Sequence, residues 1–97
     1  MYIVRDVFQL KFGKARDAQA IVEDLKKLLE EDYGPDMRFL VDFTGAAYRL
    51  IFEGSFDSLA VYEERLNDMM SKDQWRAVYG RFVPLVDSSN REILRVI

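Results

Sequence analysis

The chain contains no cysteine and no histidine. Their absence excludes disulfides, thiol nucleophiles, Cys/His zinc sites, Ser-His-Asp triads and histidine-ligated haem. Basic residues are in the minority, 14 against 17 acidic ones, for a net charge of −3. This balance argues against a nucleic-acid partner, which requires a basic face. No apolar run approaches the ~18 residues of a membrane span. The opening residues Met1-Tyr2-Ile3-Val4-Arg5-Asp6 lack a basic region, an apolar region and a cleavage site, so cytoplasm is the expected location. Phosphate loops, dinucleotide fingerprints, calcium loops, repeats and Gly/Ser linkers are also missing, and neither cofactor nor metal is expected.

What remains is a single domain, residues 1–97, with 49% hydrophobic and 32% charged residues. A chain of this size buries only about 60–65% of the surface it exposes when unfolded, which makes a covering partner valuable. Residues 2–12 alternate: Tyr2, Val4, Phe8, Leu10 and Phe12 share one face with Asp6, and Ile3, Arg5, Val7, Gln9 and Lys11 share the other. That period of two predicts a long strand ended by Gly13. From Ala15 the period lengthens. Ala15, Ala18, Val22, Leu25 and Leu29 recur at steps of three and four, opposite Glu23, Lys26, Lys27, Glu30 and Glu31. This is an amphipathic helix stopped by Gly34-Pro35.

Residues 37–43 and 46–53 predict two further strands joined by a tight hairpin at Thr44-Gly45. Ser55 is the expected N-cap of a helix carrying Leu59, Tyr62, Leu66, Met69 and Met70. Ser71 or Asp73 is the expected cap of a shorter helix with Trp75, Val78, Tyr79 and Phe82. Asp87-Ser88-Ser89-Asn90 reads as a turn, and residues 91–97 as the last strand. The order βαββα(α)β with right-handed crossovers predicts an α+β, ferredoxin-like fold. It is a four-stranded antiparallel sheet with strands 1 and 3 central and the helices on one face.

The face turned away from the helices is the informative one. It is expected to carry Ile3, Val7, Leu40, Ala47, Ile51, Ile93 and Ile97 among Arg5, Gln9, Arg38, Asp42, Arg49 and Arg95, with residues 94 and 96 turned toward the helices. So much aliphatic surface calls for a cover, although isolated isoleucines on a wet sheet are also common. The simplest cover is the same face of a second copy. The expected homodimer interface is Ile3, Arg5, Val7, Leu40, Arg49, Ile51 and Arg95. The arginines Arg5, Arg49 and Arg95, gathered on strands 4-1-3, could hold an anion or form a network with Asp42, Glu53 and Glu92.

The strand running into Lys11-Phe12-Gly13-Lys14, the run Asp73-Gln74-Trp75, Tyr79, Phe82-Val83-Pro84-Leu85-Val86, and the segment Arg91-Glu92-Ile93-Leu94-Arg95-Val96 resemble the dimeric α+β barrel superfamily. The resemblance spans the whole chain. It is closest to NIPSNAP-type members and looser to the antibiotic-biosynthesis-monooxygenase type. It implies two ferredoxin-like subunits packed sheet to sheet into a barrel, with a small-molecule site between each sheet and its helices. Haem-degrading members use a histidine, which this chain lacks. Quinone-forming oxygenases of the superfamily pair a first-strand asparagine with a helical tryptophan. Trp75 matches the second, whereas strand 1 offers only Gln9 and Asp6.

Asp6 is the candidate catalytic residue. A carboxylate between Val4 and Phe8 would be desolvated and so suited to act as a base or ligand anchor. A β-bulge turning it outward, or pairing with an arginine or tyrosine, would account for it equally. Phe8, Tyr48, Phe52, Trp75, Tyr79 and Phe82 are the candidate ligand-binding residues of one aromatic cleft, the alternative being plain core packing. Gly80 is out of place among them, because a helical glycine is disfavoured. Three roles remain open: a small-molecule-binding homodimer for an aromatic or apolar ligand, a cofactor-independent monooxygenase or isomerase acting on an aromatic polyketide-like substrate, or a partner-binding module.

Overall fold

A computed structural model describes residues 1–97. The elements are β1 (Tyr2–Leu10), α1 (Ala15–Tyr33), β2 (Arg38–Val41), β3 (Arg49–Phe56), α2 (Leu59–Met70), α3 (Asp73–Phe82), a 3-10 turn (Val83–Leu85) and β4 (Val86–Arg95). One antiparallel sheet holds the strands in the order β2-β3-β1-β4, the ferredoxin-like arrangement with β1 and β3 central. No helix is long and apolar enough to cross a membrane.

The period-two and helical stripes meet in one core. Phe8, Leu10, Leu50 and Phe52 from the sheet pack against Leu25, Leu29, Trp75 and Phe82 from the helices. A smaller cluster of Val4, Phe56 and Tyr62 closes the far end, with Phe56 and Tyr62 at 5.0 Å between ring centroids. Ion pairs fasten the helices to each other. Lys72 reaches Asp32 at 2.9 Å, and Arg81 reaches Asp24 at 2.9 Å.

Several boundaries depart from the sequence reading, each for a local reason. The β2–β3 link is no tight hairpin. Tyr48 takes a left-handed backbone (φ 60°), and Arg49 gathers the loop. Its backbone N–H donates to Asp42 Oδ1 (2.9 Å), and its guanidinium donates to the Ala46 and Thr44 carbonyls. β3 therefore starts at Arg49 and runs to Phe56, which leaves Ser55 in the strand. Ser58 caps α2 instead, accepting from the Val61 N–H. Ser71 belongs to the end of α2, where its hydroxyl donates to the Asp68 carbonyl, and α3 begins with no side-chain cap.

The largest correction concerns β4. The expected turn Asp87-Ser88-Ser89-Asn90 is strand. Leu10 pairs with Val86 but Gln9 with Ser88, so Asp87 is an extra residue in a β-bulge. Beyond it the alternation shifts by one, and the odd-numbered residues turn toward the helices. Asp6 then faces Arg91, Arg5 faces Glu92 and Val4 faces Ile93. Without the bulge, Arg5 would stand opposite Arg91 and Glu92 would fall on Val4. Electrostatics and apolar pairing both select the bulged register. Ile93 and Arg95 consequently lie on the helix-side face, across from Val4 and Tyr2, and not on the expected interface face. Leu94 replaces them there.

On that outer face, charges of alternating sign cross all four strands. Glu92 lies 3.7 Å from Arg5, Arg5 lies 3.3 Å from Glu53, and Arg38 lies 2.7 Å from Glu53. Arg5, Arg49 and Arg95 are not gathered. Arg5 joins the row, Arg49 holds its loop and Arg95 is on the other face. Glu53 is buried (6% exposed), and its hydrogen bond to Arg38 holds its carboxyl below the ordinary value of 4.5. Its contribution to stability is complete above pH 4.5 and is lost as the pH falls through the lower folded-state value. Glu53→Gln is expected to lower stability by about 1–3 kcal/mol at pH 7. Its melting temperature should also fall less steeply than the native protein's below pH 4.5, as thermal unfolding across pH would measure.

Candidate functional site

Between the sheet and the helices lies a cavity of about 400 Å³, with 9 hydrophobic residues among the 13 that line it. Its floor is Asp6, Phe8, Phe52 and Arg91 from the sheet. Its walls come from α1 (Leu29, Tyr33), α2 (Leu66, Met69, Met70) and α3 (Trp75, Arg76, Tyr79, Gly80). Trp75 and Tyr79 stack on each other, 5.0 Å apart with their planes 19° from parallel, because residues four apart share one side of a helix.

The polar end of the cavity is one ion pair. Arg91 Nε donates to Asp6 Oδ1 at 2.6 Å. Asp6 thus has the arginine partner that its position on an apolar face requires. The contact is single-point, made through Nε, so it leaves the Nη edge of the guanidinium unused by Asp6. The guanidinium also lies over the Tyr62 ring, 5.8 Å from its centroid. Burial raises the phenol pKa values of Tyr33, Tyr62 and Tyr79, and the negative charge of Asp6 adds to each. These phenols therefore stay neutral at physiological pH. The Tyr62 hydroxyl is buried, and the neighbouring Arg91 guanidinium works against the upward shift that burial causes.

Of the residues singled out from sequence, Asp6, Phe8, Phe52, Trp75 and Tyr79 meet at this cavity. Phe82 does not line it. Its ring is fully buried behind the wall, edge-on to Phe8 at 5.1 Å. Tyr48 lines a different hollow of about 550 Å³, with Phe12 and Arg49 at the other end of the sheet. Arg91, Arg76 and Tyr33 were missed. A signal for Arg91 existed: an unpaired carboxylate at Asp6 asks for a cation, and only the bulged register supplies it. Ile3, Val7, Leu40 and Ile51 of the expected interface share the outer face and are half-buried within the single chain. No group of three acidic side chains converges as a metal site would require.

Gly80 lies inside α3, has no positive φ, and a Cβ added there would meet no atom within 4 Å. Neither backbone conformation nor packing of this chain demands glycine. Gly80→Ala is expected to stabilise the fold by about 1 kcal/mol. That corresponds to a melting temperature about 4–8 °C higher by calorimetry.

No family model and no curated protein matches the sequence. Solved structures match its fold closely. A NIPSNAP family protein from Agrobacterium tumefaciens superposes with a TM-score of 0.91 at 22% identity, covering 100% of this chain and 94% of its own. A second one from the same organism, of unknown function, gives 0.91 at 18% identity, covering 99% and 87%. A putative antibiotic biosynthesis monooxygenase from Nitrosomonas europaea gives 0.72 at 9% identity, covering 100% and 99%. The chain thus has the fold of NIPSNAP proteins and, more distantly, of antibiotic-biosynthesis-monooxygenase-like proteins.

Proposed function

We propose that the protein is a small-molecule-binding homodimer, each subunit holding an apolar or aromatic ligand in the cavity between sheet and helices. The observation that carries this reading is the cavity itself. It is within the usual size range of ligand pockets, mostly apolar, and lined by only three charged side chains, Asp6, Arg76 and Arg91. The dimer part is supported by the outer sheet face. Ile3, Val7, Leu40 and Ile51 lie there beside a row of charges already paired within the chain. A second copy of this face would cover the aliphatic rows and close two sheets into a barrel. Ile51→Arg is expected to give monomers or insoluble protein, and native mass spectrometry reads the outcome directly. An unchanged dimer would place the interface elsewhere, and a monomeric parent protein would remove the barrel.

A second reading, a cofactor-independent monooxygenase or isomerase on an aromatic polyketide-like substrate, is supported by the place of Asp6 in the cavity floor and by the monooxygenase-like fold neighbour. The Asp6 carboxylate would accept a proton from an acidic C–H bond of the substrate. The carbanion would then add dioxygen, and the peroxide so formed would take the proton back from Asp6 and lose water to leave a quinone. Oxygen uptake with an anthrone, lost in Asp6→Asn while near-ultraviolet circular dichroism is kept, is the expected result. A preparation with no uptake leaves the cavity a binding site only.

A further inference from the structure

The reading of the cavity as a ligand site can be taken one step deeper, to the class of ligand. We propose that it takes a flat aromatic anion, its acid group on the Arg91 guanidinium and its rings in the space left open at Gly80.

Charge is the first support. The lining carries two arginines and one carboxylate, in a chain whose net charge is −3. Asp6 neutralises one of the two cations through a single nitrogen, Nε of Arg91. The other, Arg76, spends its guanidinium on the Ser71 carbonyl at 3.0 Å and on Asp73 at 3.3 Å. Asp73 is almost fully exposed, so that pair is weak and easily exchanged for a ligand anion. Carboxylate and sulfonate groups suit a guanidinium edge because two parallel N–H donors match two oxygens. The neutral phenols of Tyr33 and Tyr79 in the same lining add donors and no competing charge.

Shape is the second support. Gly80 is the one position of the α3 wall without a side chain, and a Cβ there would point into empty space. Trp75 and Tyr79 of the same helix present broad rings, and Met69 and Met70 present adaptable thioether chains. A notch beside aromatic faces and methionines accommodates a plate better than a branched aliphatic body.

The test uses two probes with the same rings, the naphthalene sulfonate 1-anilinonaphthalene-8-sulfonate and its neutral counterpart N-phenyl-1-naphthylamine. The sulfonate is expected to bind the native protein about tenfold more tightly. In the Asp6→Asn/Arg76→Met/Arg91→Met triple variant, which removes all three charges of the lining, the two affinities should become equal. Gly80→Phe, or Gly80→Leu if the larger ring unfolds the protein, should weaken both probes about tenfold or more by filling the notch. Equal native affinities, both still sensitive to position 80, would overturn the anion assignment and leave the cavity a ligand site. Indifference of both probes to position 80 would overturn the placement of the rings, and no binding of either probe would overturn the ligand site and the anion assignment together.

Discussion

The register of β4 against β1 is the constraint on which the molecule turns. Two adjacent residues of β1 point to opposite sides of the sheet, and each finds an opposite charge on β4. Asp6 meets Arg91 on the helix side, and Arg5 meets Glu92 on the outer side. A slip of one residue would break both pairs and set like charges across the strands. The extra residue Asp87 makes this alignment compatible with Leu10 facing Val86 at the other end. One bulge thereby fixes the polar end of the cavity and the charge row on the opposite face.

That same bulge marks the limit of what could be read from sequence. The alternation of residues 2–12 announced β1 and its faces, although the strand stops at Leu10, and the stripe from Ala15 to Leu29 announced α1, because each element has one buried side and a clean period. Asp6 stood out for the same reason, as the single polar member of an apolar row. Arg91 could not be placed, since a strand with a bulge has no single parity, and Asp87-Ser88-Ser89-Asn90 has the composition of a turn. The start of β3 was hidden by Tyr48, whose left-handed backbone is set by the loop bonds of Arg49 and leaves no mark in hydrophobic patterning. Phe82 was correctly a helix-stripe residue, but helical spacing does not tell the wall of a cavity from the core behind it.

The cavity joins two environments that normally exclude each other. Its walls are rings, thioethers and leucine, and its floor holds an ion pair. The pair is tolerated because both members are only partly desolvated, Asp6 at 22% and Arg91 at 45% side-chain exposure. Surrounding phenols are held neutral by burial, so the local field is set by Arg91, Arg76 and Asp6 alone. Glu53 on the outer face is tolerated for a different reason, since there two arginines keep a buried carboxylate charged.

The partners Asp6 and Arg91 are 85 positions apart in the chain. Closing a loop of that length costs chain entropy before the contact gives anything back. Until the last strand docks, the central strand presents a bare row of backbone donors and acceptors, the kind of edge on which unfolded chains stack. The polar end of the cavity therefore exists only when the two ends of the chain are paired, and the same pairing covers the edge of the central strand.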